Sequence, residues 1–150
     1  NMIERFGNFL RDISEIYRYW HRIAAEVMSE YDLKGSYVVY FTTLYNYPDG
    51  ITAAKLGELC TRNKADVSRA INTFERRGII TRIRVGGNGY RALVTLTDKG
   101  NSIAENICRK ACEAVAITGR DLTADERSTF YHALGLIAAN LRELDNNGGI

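Results

Sequence analysis

The stretch Asn63-Lys64-Ala65-Asp66-Val67-Ser68-Arg69-Ala70-Ile71-Asn72-Thr73-Phe74-Glu75-Arg76-Arg77-Gly78 decides the fold. Val67, Ala70, Ile71 and Phe74 recur at helical spacing and make one apolar stripe. Asn63 is a good N-cap and Gly78 a helix-terminating residue, so the pattern predicts a helix over 64–77. On a wheel centred on that stripe, Ala65, Arg69, Asn72 and Arg76 point outward, with Ser68 and Thr73 beside them. Arginine pairs with guanine, asparagine with adenine, and a small methyl packs against thymine, so this face suits a major groove. Asn63 and Lys64 stand at the helix N-terminus, where unpaired backbone N–H groups and the dipole favour a phosphate. Asp66 is less expected near phosphates; it would cap the helix or accept from a cytosine amine.

Upstream, Thr52 caps a short helix, Ala53 to Cys60, which Thr61-Arg62 interrupt. Two short helices joined by a tight turn, the second basic on its outer face, describe a helix-turn-helix. Downstream, Thr81-Arg82-Ile83-Arg84-Val85 alternates strictly, and Arg91-Ala92-Leu93-Val94-Thr95-Leu96 is a second β-prone run. Gly86-Gly87-Asn88-Gly89 between them contains the Asn-Gly pair of tight hairpins. A hairpin directly after a reading helix is a wing, and its arginines are expected on one face. Arg82 and Arg84 would touch phosphates, positioning the protein without specifying sequence.

Further out, Ser36 to Thr43 is rich in β-branched and aromatic residues, yet Tyr37, Val38, Phe41, Leu44 and Tyr45 fit a helix face, and helix is the reading adopted. Pro48-Asp49-Gly50 supplies a turn. Ile3, Phe6, Leu10, Ile13, Tyr17, Trp20, Ala24, Val27 and Tyr31 alternate spacings of three and four, with Phe9, Ile16 and Ile23 widening the face. So wide a face on a long helix needs a partner chain to cover it. Thr97 caps a helix over 98–117, and Thr123-Ala124-Asp125-Glu126 is a capping box opening a last helix striped by Phe130, Leu134, Ile137, Leu141 and Leu144. The fold class is therefore mainly α with a small β-hairpin wing. One domain spans 1–150, with a winged lobe at 50–97 between dimerisation helices at 2–31 and 121–145.

Charge placement supports a polyanion partner. Twenty Lys+Arg against eighteen Asp+Glu leave the 150-residue chain at +2. Residues 60–91 hold eight basic residues against Asp66 and Glu75 only, a window of +6, while the remainder stands at −4. A winged helix used for protein interaction, the main rival reading, need not be basic there. No run of eighteen apolar residues suggests a membrane span, and charges within Met2-Ile3-Glu4-Arg5-Phe6 argue against a signal peptide. Three cysteines, an odd number, argue against a disulfide framework, and an intracellular location is expected.

Leu56-Gly57-Glu58-Leu59, Asn63 to Ile71, Phe74-Glu75-Arg76-Arg77-Gly78-Ile79-Ile80 and Leu96-Thr97-Asp98-Lys99-Gly100 together resemble the MarR-type winged helix-turn-helix transcription regulators, over essentially the whole chain. The resemblance implies a cytoplasmic homodimer whose terminal helices make the dimer. It also implies binding to a pseudo-palindromic DNA operator, often relieved by small molecules or oxidants. Members usually carry an acid and, beyond one intervening position, an arginine in the wing. Asn88 and Tyr90 stand there instead, with Arg91 following on the opposite strand face. Asn88, Gly89 and Arg91 complete the expected DNA-facing set.

Other candidates carry less. Cys108 and Cys112 share a helix face, and Cys60 sits inside the reading motif; a free cysteine is most often a small buried hydrophobe, and redox sensing by these three is the alternative. Adding His132 gives no recognised metal-ligand spacing, so neither metal nor cofactor is expected. The resemblance places an effector pocket between the dimer helices and the DNA-binding lobe. Tyr19, His21 and Tyr40, which break the apolar rows, are candidates to line it for a small apolar or aromatic effector. Isolated His21 and His132, no Gly-Lys-Ser/Thr after the glycines and no Gly-x-Ser-x-Gly elbow argue against an enzyme.

Overall fold

The computed structural model describes residues 1–87 and 91–150, and the elements follow the sequence pattern closely. They are α1 (Met2–Ser29), a 3-10 turn (Gly35–Tyr37), α2 (Val38–Tyr45), α3 (Ala53–Cys60), α4 (Lys64–Arg76), β1 (Ile80–Val85), β2 (Arg91–Leu96), α5 (Asp98–Thr118) and α6 (Ala124–Asn146). Residues 1–110 and 111–150 form two compact units.

In the first unit the core gathers around Phe74 of α4. The rings of Tyr37 and Phe41 lie 5.1 Å from it and that of Tyr40 6.0 Å. This packing explains why the tyrosine- and valine-rich stretch is helical: only a helix turns Tyr40, Phe41 and Leu44 together into one core, and burial overrides strand propensity. Leu56, Val67, Ala70 and Ile71 close the same core from α3 and α4, and Ile103, Ala104 and Ile107 from α5.

Three local details differ from the sequence reading. α1 stops at Ser29, short of Tyr31, where the chain turns through Asp32 with φ +53°. Asn1 lies ahead of the helical stripe yet caps α1, its side chain accepting from the Glu4 N–H. Ile51 forms a bridge to Val94, with N–H···O bonds of 3.1 and 2.8 Å in the two directions, so a third short strand segment anchors the base of the wing. No alternation announces a single bridging residue.

β1 and β2 pair antiparallel, with Arg82 opposite Val94, Arg84 opposite Ala92 and Val85 opposite Arg91. Directly opposed residues share a sheet face. Arg82 and Arg84 therefore lie on one face and Arg91 on the other, which corrects the expectation that all the wing arginines share a side.

Two motifs meet at the end of α4. Gly78 takes φ +70° and lets the Ile79 N–H return to the Phe74 carbonyl at 2.8 Å. The Thr97 hydroxyl donates to the Gly78 carbonyl at 2.6 Å and accepts from the Gly100 N–H at 3.1 Å. A Cβ on Gly100 would stand 2.1 Å from the Ile79 carbonyl oxygen, so the first turn of α5 needs glycine there. The second unit carries the predicted capping box: the Glu126 N–H donates to Thr123 Oγ1 at 3.1 Å, and Glu126 answers on the Thr123 N–H at 2.9 Å.

The terminal helices keep their apolar rows in solvent. Phe6, Leu10 and Ile13 are exposed on α1, as are Phe130, Leu134, Ile137 and Leu141 on α6, where no residue is buried. No helix among the described residues is long and apolar enough to cross a membrane.

Candidate nucleic-acid interface

Thr61, with φ +55°, makes the sharp turn between α3 and α4. Arg62 then reaches away from the surface, donating to the Ser36 carbonyl at 3.2 Å with its guanidinium over the Tyr40 ring. Asn63 caps α4 as predicted: its side chain accepts from the Asp66 N–H at 2.9 Å. The cap is therefore Asn63, and the Asp66 carboxylate is occupied elsewhere, pairing with Arg69 one turn on.

The outward face of α4 is exposed as the helix wheel predicts. Lys64, Ala65, Ser68, Arg69, Asn72 and Arg76 are exposed, Thr73 is half-buried, and Val67, Ala70, Ile71 and Phe74 are buried beneath them. A recess of about 390 Å³ runs along one side of α4, floored by Ala54, Gly57 and Ile71 and rimmed by Lys64, Ser68 and Arg82. Another, of about 450 Å³, runs along the other side between Asp32, Lys34 and Tyr37 and the side chains of Arg69, Asn72 and Arg76. α4 thus stands proud between two hollows, a shape that lets a helix enter a groove.

The wing arginines differ in their surroundings. Arg82 turns back onto α4, Nε donating to Glu75 Oε2 at 3.0 Å and Nη2 to Asn72 Oδ1 at 3.2 Å. Arg84 and Arg91 are exposed on opposite faces of the hairpin. The expectations for Asn88 and Gly89, and for Tyr90 in place of a wing arginine, lie outside the described residues. The +6 window resolves into distinct roles: both of its acids hold an arginine, while Arg62 and Arg77 bind backbone carbonyls. Sequence reasoning counted Arg77 among the basic residues and missed its clamp on Tyr31 and Asp32. Its only local signal was its place at the helix end, where a cation is ordinarily explained by the dipole.

The remaining candidates separate. Tyr40 is buried with its hydroxyl unpartnered, whereas Tyr19 and His21 are exposed on α1, Tyr19 beneath Arg18 and Arg22 and His21 against Tyr17. Cys60 is buried, its thiol donating to Thr43 Oγ1 at 3.4 Å, and burial pushes its pKa up, the opposite of a reactive thiolate. Cys108 is half-buried and Cys112 exposed. Among the described residues no three His, Cys, Asp or Glu side chains gather as a metal site.

No protein-family model matches the sequence. The HTH-type transcriptional regulator YybA of Bacillus subtilis is 24% identical over 135 residues, 90% of this chain and 89% of its own. A MarR-family transcriptional regulator from Listeria monocytogenes, solved in complex with a 26mer DNA, superposes with a TM-score of 0.82 at 24% identity, covering 94% of this chain and 95% of that one. The transcriptional regulator SlyA superposes with a TM-score of 0.79 at 25% identity over 90% of this chain and 94% of its own. The mainly helical chain with its two-stranded wing has the fold of the MarR-type winged-helix transcriptional regulators.

Proposed function

We propose that the protein is a sequence-specific, double-stranded-DNA-binding transcriptional regulator that works as a homodimer. The observation that carries the reading is the exposed face of α4, where Ala65, Ser68, Arg69, Asn72 and Arg76 line one side of a helix raised between two recesses. The likeness to a regulator solved with DNA supports it. The apolar rows left in solvent on α1 and α6 support the dimer, since patches of that extent mark interfaces. A two-fold dimer would set two reading helices in successive major grooves, so the operator is a pseudo-palindrome with half-sites about one helical turn, roughly 34 Å, apart.

Selection of duplexes from a randomised pool tests this reading. The expected result is enrichment of a pseudo-palindrome, and loss of enrichment when Arg69 is replaced by Ala. Enrichment of no sequence would leave only a winged helix that docks protein. The finer reading, a repressor released by a small apolar or aromatic effector, draws on the resemblance and on Tyr19 and His21, which stand exposed on α1. Titrating the selected duplex–protein complex with aromatic acids tests that part separately.

A further inference from the structure

We infer that Arg82 is a positioning residue for DNA reading, bridging the wing to α4 and orienting Asn72, and not a phosphate contact of the wing. The inference rests on the DNA-binding reading above. Arg82 donates from Nε to Glu75 and from Nη2 to Asn72, two residues three apart on α4 and hence on one face. A planar guanidinium supplies that fork, whereas a lysine ammonium is a point charge. The root of Arg82 is set by β1, opposite Val94, which is itself buried and bridged to Ile51. Arg82 therefore springs from the anchored base of the wing, and its head crosses to the reading helix.

Two chemical consequences follow. Glu75 neutralises the guanidinium, so Arg82 displaces little of the counterion atmosphere that gives phosphate contacts their salt dependence. The Asn72 carbonyl is turned toward Arg82, which leaves the Asn72 amide N–H groups for the groove. A donor presented there matches the acceptors of guanine, adenine N7 and thymine O4, and is rejected by the cytosine amine. Asn72 is then a reader that excludes cytosine, in place of the bidentate adenine contact its residue type alone suggests.

The test uses one duplex selected by the wild-type protein and a scrambled duplex of equal length, titrated over a range of salt. Arg82→Lys and Arg82→Gln are each expected to lose about tenfold in selectivity between the two duplexes, a modest share of one good base contact. Both should lose discrimination against cytosine at a single position per half-site, a readout that general destabilisation does not move. Neither should change the salt slope on the scrambled duplex. Glu75→Gln, which frees the guanidinium, should raise that slope by about 0.9, one phosphate's share. Wild-type selectivity in Arg82→Lys, a slope lowered by about 0.9 in Arg82→Gln, or an unchanged slope in Glu75→Gln would overturn the inference. If the wild type selects no duplex at all, the DNA-binding reading itself fails, which is a different result from selection that ignores Arg82.

Discussion

Replacing Arg77 by Ala tests what mounts α4 on the end of α1. Arg77 follows the last residue of α4, and its guanidinium crosses to the carbonyl oxygens of Tyr31 and, at 2.9 Å, of Asp32, both just past the end of α1. Its own carbonyl accepts from Lys99 Nζ at 2.8 Å, a bond the substitution leaves possible. Hydrogen bonds from a charged donor are worth roughly 1.5–3 kcal/mol each. Here one half-buried guanidinium makes both and stays partly solvated, so their loss is expected to cost about 2–3 kcal/mol in total. With a urea dependence of about 2 kcal/mol per molar, the unfolding midpoint should fall by about 1–1.5 M. Wild type and variant must be compared at one protomer concentration, because association adds to apparent stability. The salt slope of DNA affinity should not change, since a phosphate contact would remove about 0.9. A destabilisation below about 0.5 kcal/mol, the range of an ordinary surface substitution, would refute the clamp.

Leu134→Asp should convert a dimer into a species of 16.9 kDa by light scattering, or unfold it, because an unpaired charge on a covered apolar row is costly. A dimer unaffected by this change would place the interface elsewhere. Gly100→Ala should prevent folding or lower the melting temperature sharply, since the added carbon meets the Ile79 carbonyl at 2.1 Å; thermal unfolding near wild type would show that the backbone yields cheaply. The Cys60 thiol titrates higher when folded, from burial, so it favours the folded state below its ordinary value of 9.0. That contribution is lost as pH rises through the raised value. Urea unfolding from pH 8 upward should show an alkaline loss that Cys60→Ala diminishes; equal losses in both proteins would assign the effect to other groups.

How much of this was legible depended on how local each cause is. α3 and α4 could be read with their caps because Thr52 and Asn63 each act within three residues of their own position. The capping box of α6 was legible for the same reason. The helical state of residues 38–45 was harder, because their residue types favour strand and only the apolar spacing points to the core around Phe74. The Ile51–Val94 bridge and the Arg77 clamp were not legible, since each joins residues more than forty apart with no matching periodicity. Charge located the basic segment but not the role of each cation. A count of eight basic residues against two acids treats every cation alike, but Arg69 and Arg82 are paired and Arg62 and Arg77 are spent on carbonyls.

That division of labour bears on how such a protein could be controlled. α4 is fastened at its start by the Asn63 cap and by Arg62 on the Ser36 carbonyl, and at its end by Arg77, Gly78 and Thr97. Fastenings at both ends, with Phe74 packed between them, oppose bending of the helix or a slide along its axis. Its outward side chains can still exchange partners: the Arg69–Asp66 pair is exposed, and such a pair is worth little in water. A ligand that releases DNA would therefore act by altering the separation of two intact reading helices, not by deforming either one. It can shift that separation only by its difference in affinity for the two arrangements. In a dimer, that places the decisive contacts on whatever sets the distance between copies, which directs the search for control to the surfaces around α1 and α6 before the reading face itself.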